Sequence, residues 1–240
     1  MIKRMTIWIG VLSTGALALF LLCFFGIWIP NEPSLARYPV RGIDVSHHQG
    51  HIDWKSVKAS GITFAYMKAT EGADFADADF TANWQSSSEQ GLVRGAYHFF
   101  TFGTSGQLQA SNFISQVPAD PNALPAAIDL EFSGYNKKPG PSPEEFQREL
   151  SVFWDAVVEH YRRVPVVYTT GDFQKQYLAA LPIERLWIRE VLTTPSLPWT
   201  FWQLSPRGRL RGVPTFVDLN VFQGSREDFA KLSQLRDIAP

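Results

Sequence analysis

The segment Ala127-Ile128-Asp129-Leu130-Glu131-Phe132 alternates apolar and acidic residues. On a β-strand, side chains two apart share a face, so Asp129 and Glu131 project together while Ile128 and Leu130 point the other way. Two carboxylates this close repel, which favours a proton on one of them near neutral pH. A protonated carboxyl beside an ionised one is the equipment that glycosidic bond cleavage needs. Taken alone, the hexapeptide reads rather as a strand with two exposed acids at a sheet edge. The rest of the chain has to decide.

From Val40 onward, short apolar runs alternate with polar, helix-like segments, the rhythm of βα units. Gly42 to Val45 reads as a first strand, Ile62 to Met67 as a second and Leu92 to Phe99 as a third. The Asp129/Glu131 segment is the fourth, Pro165 to Thr169 the fifth and Leu186 to Ile188 the sixth. Thr200 to Leu204 and Thr215 to Val221 complete the set. Asp53 can cap a short helix through Lys58, Gln107 to Val117 is helical, and Pro143 with Glu144 and Glu145 opens a long helix to about Tyr161. Ser225 to Pro240 reads as one more.

The connections between the late strands are too short for full helices. The expected fold is therefore α/β, an irregular (β/α) barrel with eight strands and fewer helices. In such barrels chemistry sits at the C-terminal ends of the strands. Asp44, Lys68, Tyr168, Gln203 and Asp218 are placed there, together with Asp129 and Glu131. Closure brings the first and last strands side by side, so Asp44 and Asp218 become neighbours and four carboxyls share one mouth. That convergence favours the catalytic reading.

The 240-residue chain carries a formal net charge of -1 and shows no basic stripe, which argues against nucleic acid as a partner. Thr6 to Ile29 is uncharged and mostly apolar, about 24 residues, long enough to cross a bilayer. Lys3 and Arg4 precede it, which leaves the N-terminus in the cytoplasm and the bulk of the chain outside. The run exceeds the apolar core of a cleavable signal, and Phe24, Phe25 and Trp28 stand where small residues are wanted. One N-terminal transmembrane helix, an uncleaved signal-anchor, is expected to precede the barrel. The division is residues 1–30 for the cytoplasmic end and anchor, 31–39 for a linker and 40–240 for the catalytic barrel. Cys23 is the only cysteine and lies inside the anchor, so the exported part has no disulfide and no thiol nucleophile.

Gly42-Ile43-Asp44-Val45-Ser46-His47-His48-Gln49-Gly50, followed by Ile52-Asp53-Trp54, resembles the opening of the glycoside hydrolase family 25 lysozymes, the Chalaropsis-type N-acetylmuramidases. Phe64-Ala65, Lys68-Ala69-Thr70-Glu71-Gly72, Gly95-Ala96-Tyr97-His98-Phe99, Asp129-Leu130-Glu131 and Val217-Asp218-Leu219-Asn220 extend the likeness from about Arg41 to Gly224. The resemblance implies hydrolysis of the β-1,4 bond between N-acetylmuramic acid and N-acetylglucosamine in peptidoglycan, without a cofactor. Glu131 would be the general acid and Asp129 would assist the 2-acetamido group. Asp44 and Asp218 fall on the other acidic cleft positions. Tyr97, Tyr168 and Trp202 sit where the family tends to place ring-stacking or hydroxyl-donating groups. The glycan strands of peptidoglycan and the bacterial cytoplasmic membrane are the implied partners, with the barrel on the periplasmic or extracellular side.

One departure follows the sixth strand, where Arg189-Glu190-Val191 replaces the family's usual small or aromatic residues. Arg189 is expected in an ion pair at the barrel rim; the other reading has it facing the stem peptide or lactyl carboxylate of the glycan. Lys68 and Glu71 should pair at the rim, with Lys68 lowering the pKa of a neighbouring acid, and His98 should orient a carboxylate. His47 and His48 beside Asp44 could suggest a metal, but adjacent residues on an extended chain point to opposite faces and no zinc-binding spacing appears. A tethered peptidoglycan-binding protein with little or no activity is the alternative from another class. The four acids argue against it, because binding alone does not need a desolvated carboxyl cluster.

Overall fold

A computed structural model of the chain describes residues 15–234. Its strands are β1 (Arg41–Val45), β2 (Phe64–Glu71), β3 (Phe75–Ala76), β4 (Val93–Phe99), β5 (Ala127–Leu130), β6 (Val166–Thr170), β7 (Leu186–Arg189), β8 (Phe201–Gly208) and β9 (Val217–Phe222). They follow the order β1-β9-β8-β7-β6-β5-β4-β2-β3, and a further β1–β2 pairing closes eight of them into a barrel. The two-residue β3 folds back on the end of β2. The eight-stranded irregular barrel expected from the sequence is the fold observed. β9 runs antiparallel to both neighbours, so its first residues, not its last, reach the mouth.

Strand parity sorts the side chains. Phe64 and Tyr66 of β2, Trp187 of β7, Phe201 of β8 and Phe222 of β9 fill the barrel interior. Glycine makes room for two of these rings: a Cβ on Gly42 would lie 2.2 Å from the Phe64 ring, and one on Gly95 2.3 Å from that of Tyr66. The alternate residues Ile43, Ala65, Met67, Ile128, Leu130 and Val167 face outward into a second apolar layer. That layer is covered by α2 (Trp54–Ala59), α3 (Phe80–Glu89), α4 (Gly106–Gln116) and α5 (Pro143–Tyr161), which follow an N-terminal helix α1 over residues 15–24. α5 starts where its residues predict: Ser142 and Glu145 form a capping box around Pro143 at the first turn.

The sequence pattern assigns no element between Met67 and Leu92, yet β3 and α3 lie there. The buried face of α3 carries Asn83 and Ser87 beside Phe80 and Trp84, which dilutes its apolar periodicity. Trp54 Nε1 donates to Asn83 Oδ1 at 3.1 Å, so the buried amide is a tie between α2 and α3.

Beyond β6 the helical layer stops. Only a helical turn, α6 (Gly171–Phe173), and the π-helical turn Gln174–Leu178 connect β6 to β7. The outer faces of β7, β8 and β9 present Leu186, Ile188, Trp202, Leu204 and Val221, and these need a cover. The segment expected to be a linker supplies it. Tyr38 packs on Trp199 and Trp202 at ring distances of 5.3 and 6.4 Å, and Ile29 joins the same cluster. Residues 29–39 are therefore a strap on the barrel. The last helix, α7 (Arg226–Gln234), closes the base through Phe229 and Leu232; residues 235–240 of the expected C-terminal helix lie outside the described residues.

Among the described residues no helix is long and apolar enough to cross a membrane. Residues 6–14 of the expected anchor lie outside the described residues, and its end differs from expectation because the helix stops at residue 24. Gly26 takes φ 65, and Ile27 N and Gly26 N donate back to the carbonyls of Leu22 and Cys23 at 2.9 and 3.0 Å, a glycine-terminated helix end. Arg207 Nη1 and Arg209 Nε donate to the carbonyls of Phe24 and Phe25 at 2.9 and 2.5 Å, so the barrel itself takes up carbonyls left free by the last turn.

Candidate active site

β1, β4, β5, β6, β7, β8 and β9 each send inward-facing side chains to one end of the barrel. Asp44, Tyr97, Asp129, Glu131, Tyr168, Trp187, Arg189, Gln203 and Asp218 line a mouth of about 170 Å³ there. Asp44 and Asp218 are register partners across the antiparallel β1–β9 seam. Asp129 precedes the last residue of β5, and Glu131 follows directly after the strand. Buried Asn136 fixes this turn. Its Nδ2 donates to the carbonyls of Phe100 and Glu131 at 2.6 and 3.2 Å, while its Oδ1 accepts from Phe102 N at 2.7 Å.

Asp44 is the most tightly held of the four acids. The Trp187 indole can only donate, and Nε1 gives its hydrogen to Asn220 Oδ1 at 2.8 Å. That orients Asn220 so that Nδ2 donates to Asp44 Oδ2 at 2.7 Å. On the other side the Tyr168 hydroxyl donates to Gln203 Oε1 at 3.0 Å, and Gln203 Nε2 donates to the same Asp44 oxygen at 2.9 Å. Two amides, each aligned by an aromatic donor, thus converge on one carboxylate oxygen.

Burial raises the pKa of every acid in the mouth, because a charge loses its water there. Asp44 is pushed up to about 6, the loss of solvent and the nearby Glu131 outweighing the Asn220 and Gln203 amides and Arg189. Asp129 is raised well above the usual carboxylate range by burial and then by Glu131, against the pull of Lys68. Asp218 is raised likewise by burial and by Asp44, with Arg189 opposing. Glu131 is also raised by burial, while Arg189 and a Ser133 hydrogen bond hold it down. The Tyr97 phenol is pushed up by burial and by Asp44, Asp129 and Asp218, so it stays a neutral donor among acids. Such a ring favours protonated carboxyls in the resting site, and any of them that is ionised stabilises positive charge that develops on a bound molecule.

The profile of glycosyl hydrolases family 25 matches residues 43–213. The chain belongs to that family. Family membership makes it a glycoside hydrolase. A family 25 glycosyl hydrolase from Bacillus anthracis shares 40% identity and superposes with a TM-score of 0.79, covering 84% of this chain and 96% of that one. A bacterial lysozyme from Streptomyces coelicolor is 35% identical with a TM-score of 0.75, covering 81% and 97%. Lysozyme M1 of Streptomyces globisporus is 36% identical over 201 residues, 78% of this chain and 68% of that protein.

Within this family 25 barrel, the structure gathers Asp44, Tyr97, Asp129, Glu131, Tyr168, Gln203 and Asp218 in the mouth, leaves Lys68 beside it and sends two expected site residues elsewhere. Trp202 is buried on the outer face, where Nε1 donates to the Glu190 carbonyl at 2.7 Å and the ring meets Tyr38. It neighbours Gln203, and adjacent residues on a strand cannot both face inward. His98 fails for the same reason beside Tyr97. It is fully buried behind the barrel, with Nδ1 2.7 Å from Thr70 Oγ1, Nε2 3.1 Å from Gln109 Oε1 and its ring stacked on Phe153. Burial drives its pKa down to about 3, so it is a neutral core residue, not a carboxylate's partner.

Lys68 points inward and pairs with Glu71 at 2.5 Å, beside the mouth and not in its lining. Arg189 lies in the lining, its Nη1 3.8 Å from Glu131 Oε2. His47 binds Asp77 through Nδ1 at 2.7 Å, and among the described residues no group of three His, Cys, Asp or Glu could hold a metal. Trp187 and Asn220 belong to the site without having been expected there. Parity held the signal for both, since Asn220 lies two residues after Asp218 and Trp187 two before Arg189.

Proposed function

We propose that this barrel hydrolyses peptidoglycan at the β-1,4 bond between N-acetylmuramic acid and N-acetylglucosamine, with Glu131 as general acid. The observation that carries the reading is the grading of the four acids. Glu131 stands at the end of β5 with 16% of its side chain exposed, while Asp44 is held between two amides within the mouth. A protonated Glu131 gives its proton to the bridging oxygen as the C1–O bond breaks. The substrate's own 2-acetamido oxygen closes on C1 from the opposite side. Asp129 assists by accepting the acetamido N–H. Its Oδ1 is buried without a hydrogen-bond partner among the described residues, which suits that task. Water then opens the cyclic intermediate, returning its proton to Glu131. Asp44, whose pKa rises only to about 6, supplies negative charge for C1 and the ring oxygen as they become positive, with Asp218 beside it across the seam.

The relatives named as lysozymes support this substrate. Digestion of purified peptidoglycan followed by borohydride reduction tests it: the reading requires new reducing ends on N-acetylmuramic acid. Reducing ends on N-acetylglucosamine would contradict it. The second reading, a peptidoglycan binder with little or no turnover, draws on the Arg189–Glu131 pair and predicts cosedimentation with sacculi without any new ends.

The barrel works outside the cytoplasmic membrane, held by its N-terminal segment. The apolar side chains of α1 support this, since Leu17 and Phe20 are 57% and 60% exposed on a helix with no charged face. Lys3 and Arg4 before the apolar run set the orientation. Full-length protein that resists alkaline extraction of the membrane fraction is the expected result; recovery in the soluble fraction would contradict the tether.

A further inference from the structure

Among the described residues lining the mouth, Arg189 alone is cationic. Trp187 and Arg189 share the inward parity of β7 while Ile188 goes into the outer cluster, so the backbone commits the guanidinium to the site. Its side chain is 39% exposed and within reach of solvent. At 3.8 Å from Glu131 Oε2, the contact is an ion pair longer than a hydrogen bond.

This placement opposes the reaction twice. A cation near C1 disfavours an oxocarbenium-like transition state, and a cation beside Glu131 favours the carboxylate over the acid that must donate a proton. A neutral glycan would meet both penalties. A glycan that brings its own carboxylate would relieve both, because the planar fork of arginine is matched to bidentate carboxylate binding.

We propose that Arg189 is a specificity residue through which the mouth selects glycans bearing a carboxylate beside the scissile bond. The incoming carboxylate draws the guanidinium off Glu131 and neutralises it, so the substrate completes the site that cleaves it. The inference rests on the peptidoglycan reading above. The carboxylate has two possible sources, the lactyl group of a muramyl residue stripped of its peptide and the acidic groups of the stem peptide.

Three ligands separate these: intact peptidoglycan strands, strands stripped by an amidase, and a chito-oligosaccharide used as a competitive inhibitor. Arg189→Gln should lower kcat/KM on carboxylate-bearing strands by about tenfold or more while leaving the inhibition constant of the neutral oligosaccharide unchanged or tighter. Arg189→Lys should recover part of the loss. A loss confined to intact strands assigns the stem peptide, and a loss on stripped strands assigns the lactyl group. Equal weakening towards all three ligands would overturn the proposal and leave the peptidoglycan reading standing. Failure of the wild-type protein to cleave either kind of muramyl strand would overturn both.

Discussion

Asp44 and Asp218 face each other across the seam where the first strand of the barrel meets the last, register partners on antiparallel β1 and β9. Burial makes both costly to ionise, and the charge of Asp44 adds to the cost for Asp218. The fold accepts that cost at the point where it closes.

The consequence is a stability that depends on pH. Asp44 ionises near 3.8 in an unfolded chain and near 6 in the folded one. The unfolded state therefore releases this proton first as pH rises, and the folded state loses stability between about pH 4 and 6, then levels off. Asp44→Asn keeps an oxygen to accept the Gln203 and Asn220 amides and removes the ionisation. It should gain ~1–3 kcal/mol over wild type at pH 7 and nothing at pH 3.5, while hydrolysis falls. Urea titrations at the two pH values check this; an equal effect at both would show that Asp44 is not a strained carboxylate.

The outer cover of β7 to β9 makes a separate prediction. Trp202→Phe keeps the ring and loses the hydrogen bond to Glu190, so it should cost about 1 kcal/mol of stability and leave kcat/KM on peptidoglycan within about twofold. Tyr38→Ala opens the same cluster and should cost about 3–5 kcal/mol. A large rise in KM with unchanged stability for Trp202→Phe would restore that residue to the substrate cleft.

Sequence alone carried the barrel, because alternating strands and capped helices such as α5 declare themselves locally. It carried the acids as well, since Asp129 and Glu131 lie two apart on one strand and Asp44 and Asp218 follow from closure. What it missed depends on parity and on long-range cover. Tyr97 and His98 could not both face inward, nor could Trp202 and Gln203, and only the register decides which does. Within the strap, residues 31–39 read as a polar, proline-bearing linker and Ile29 as the end of the anchor, because the apolar face they cover belongs to strands about 150 residues away. Asn220 and Trp187 act through Asp44, and no local pattern announces such a partner.

Arg189 also sets a pH limit. Its charge lowers the pKa of Glu131 against the raising effect of burial, with Asp172 adding to the rise and Lys68 opposing it. A general acid fails as pH climbs past its pKa, so on the proposed mechanism the alkaline limb of kcat/KM reports Glu131. Arg189→Gln should move that limb to higher pH. A limb that stays in place, or moves down, would mean that the guanidinium does not face Glu131 in the free enzyme.

The general acid is tested most directly by the turnover of Glu131→Gln on purified peptidoglycan, measured as reducing-end release beside a binding assay on the same sacculi. The amide preserves shape and hydrogen bonding but has no proton to give. Release should fall by about 10²–10⁴-fold with binding retained. Release at the wild-type rate would remove Glu131 from the chemistry and contradict a mouth whose acids serve to deliver a proton.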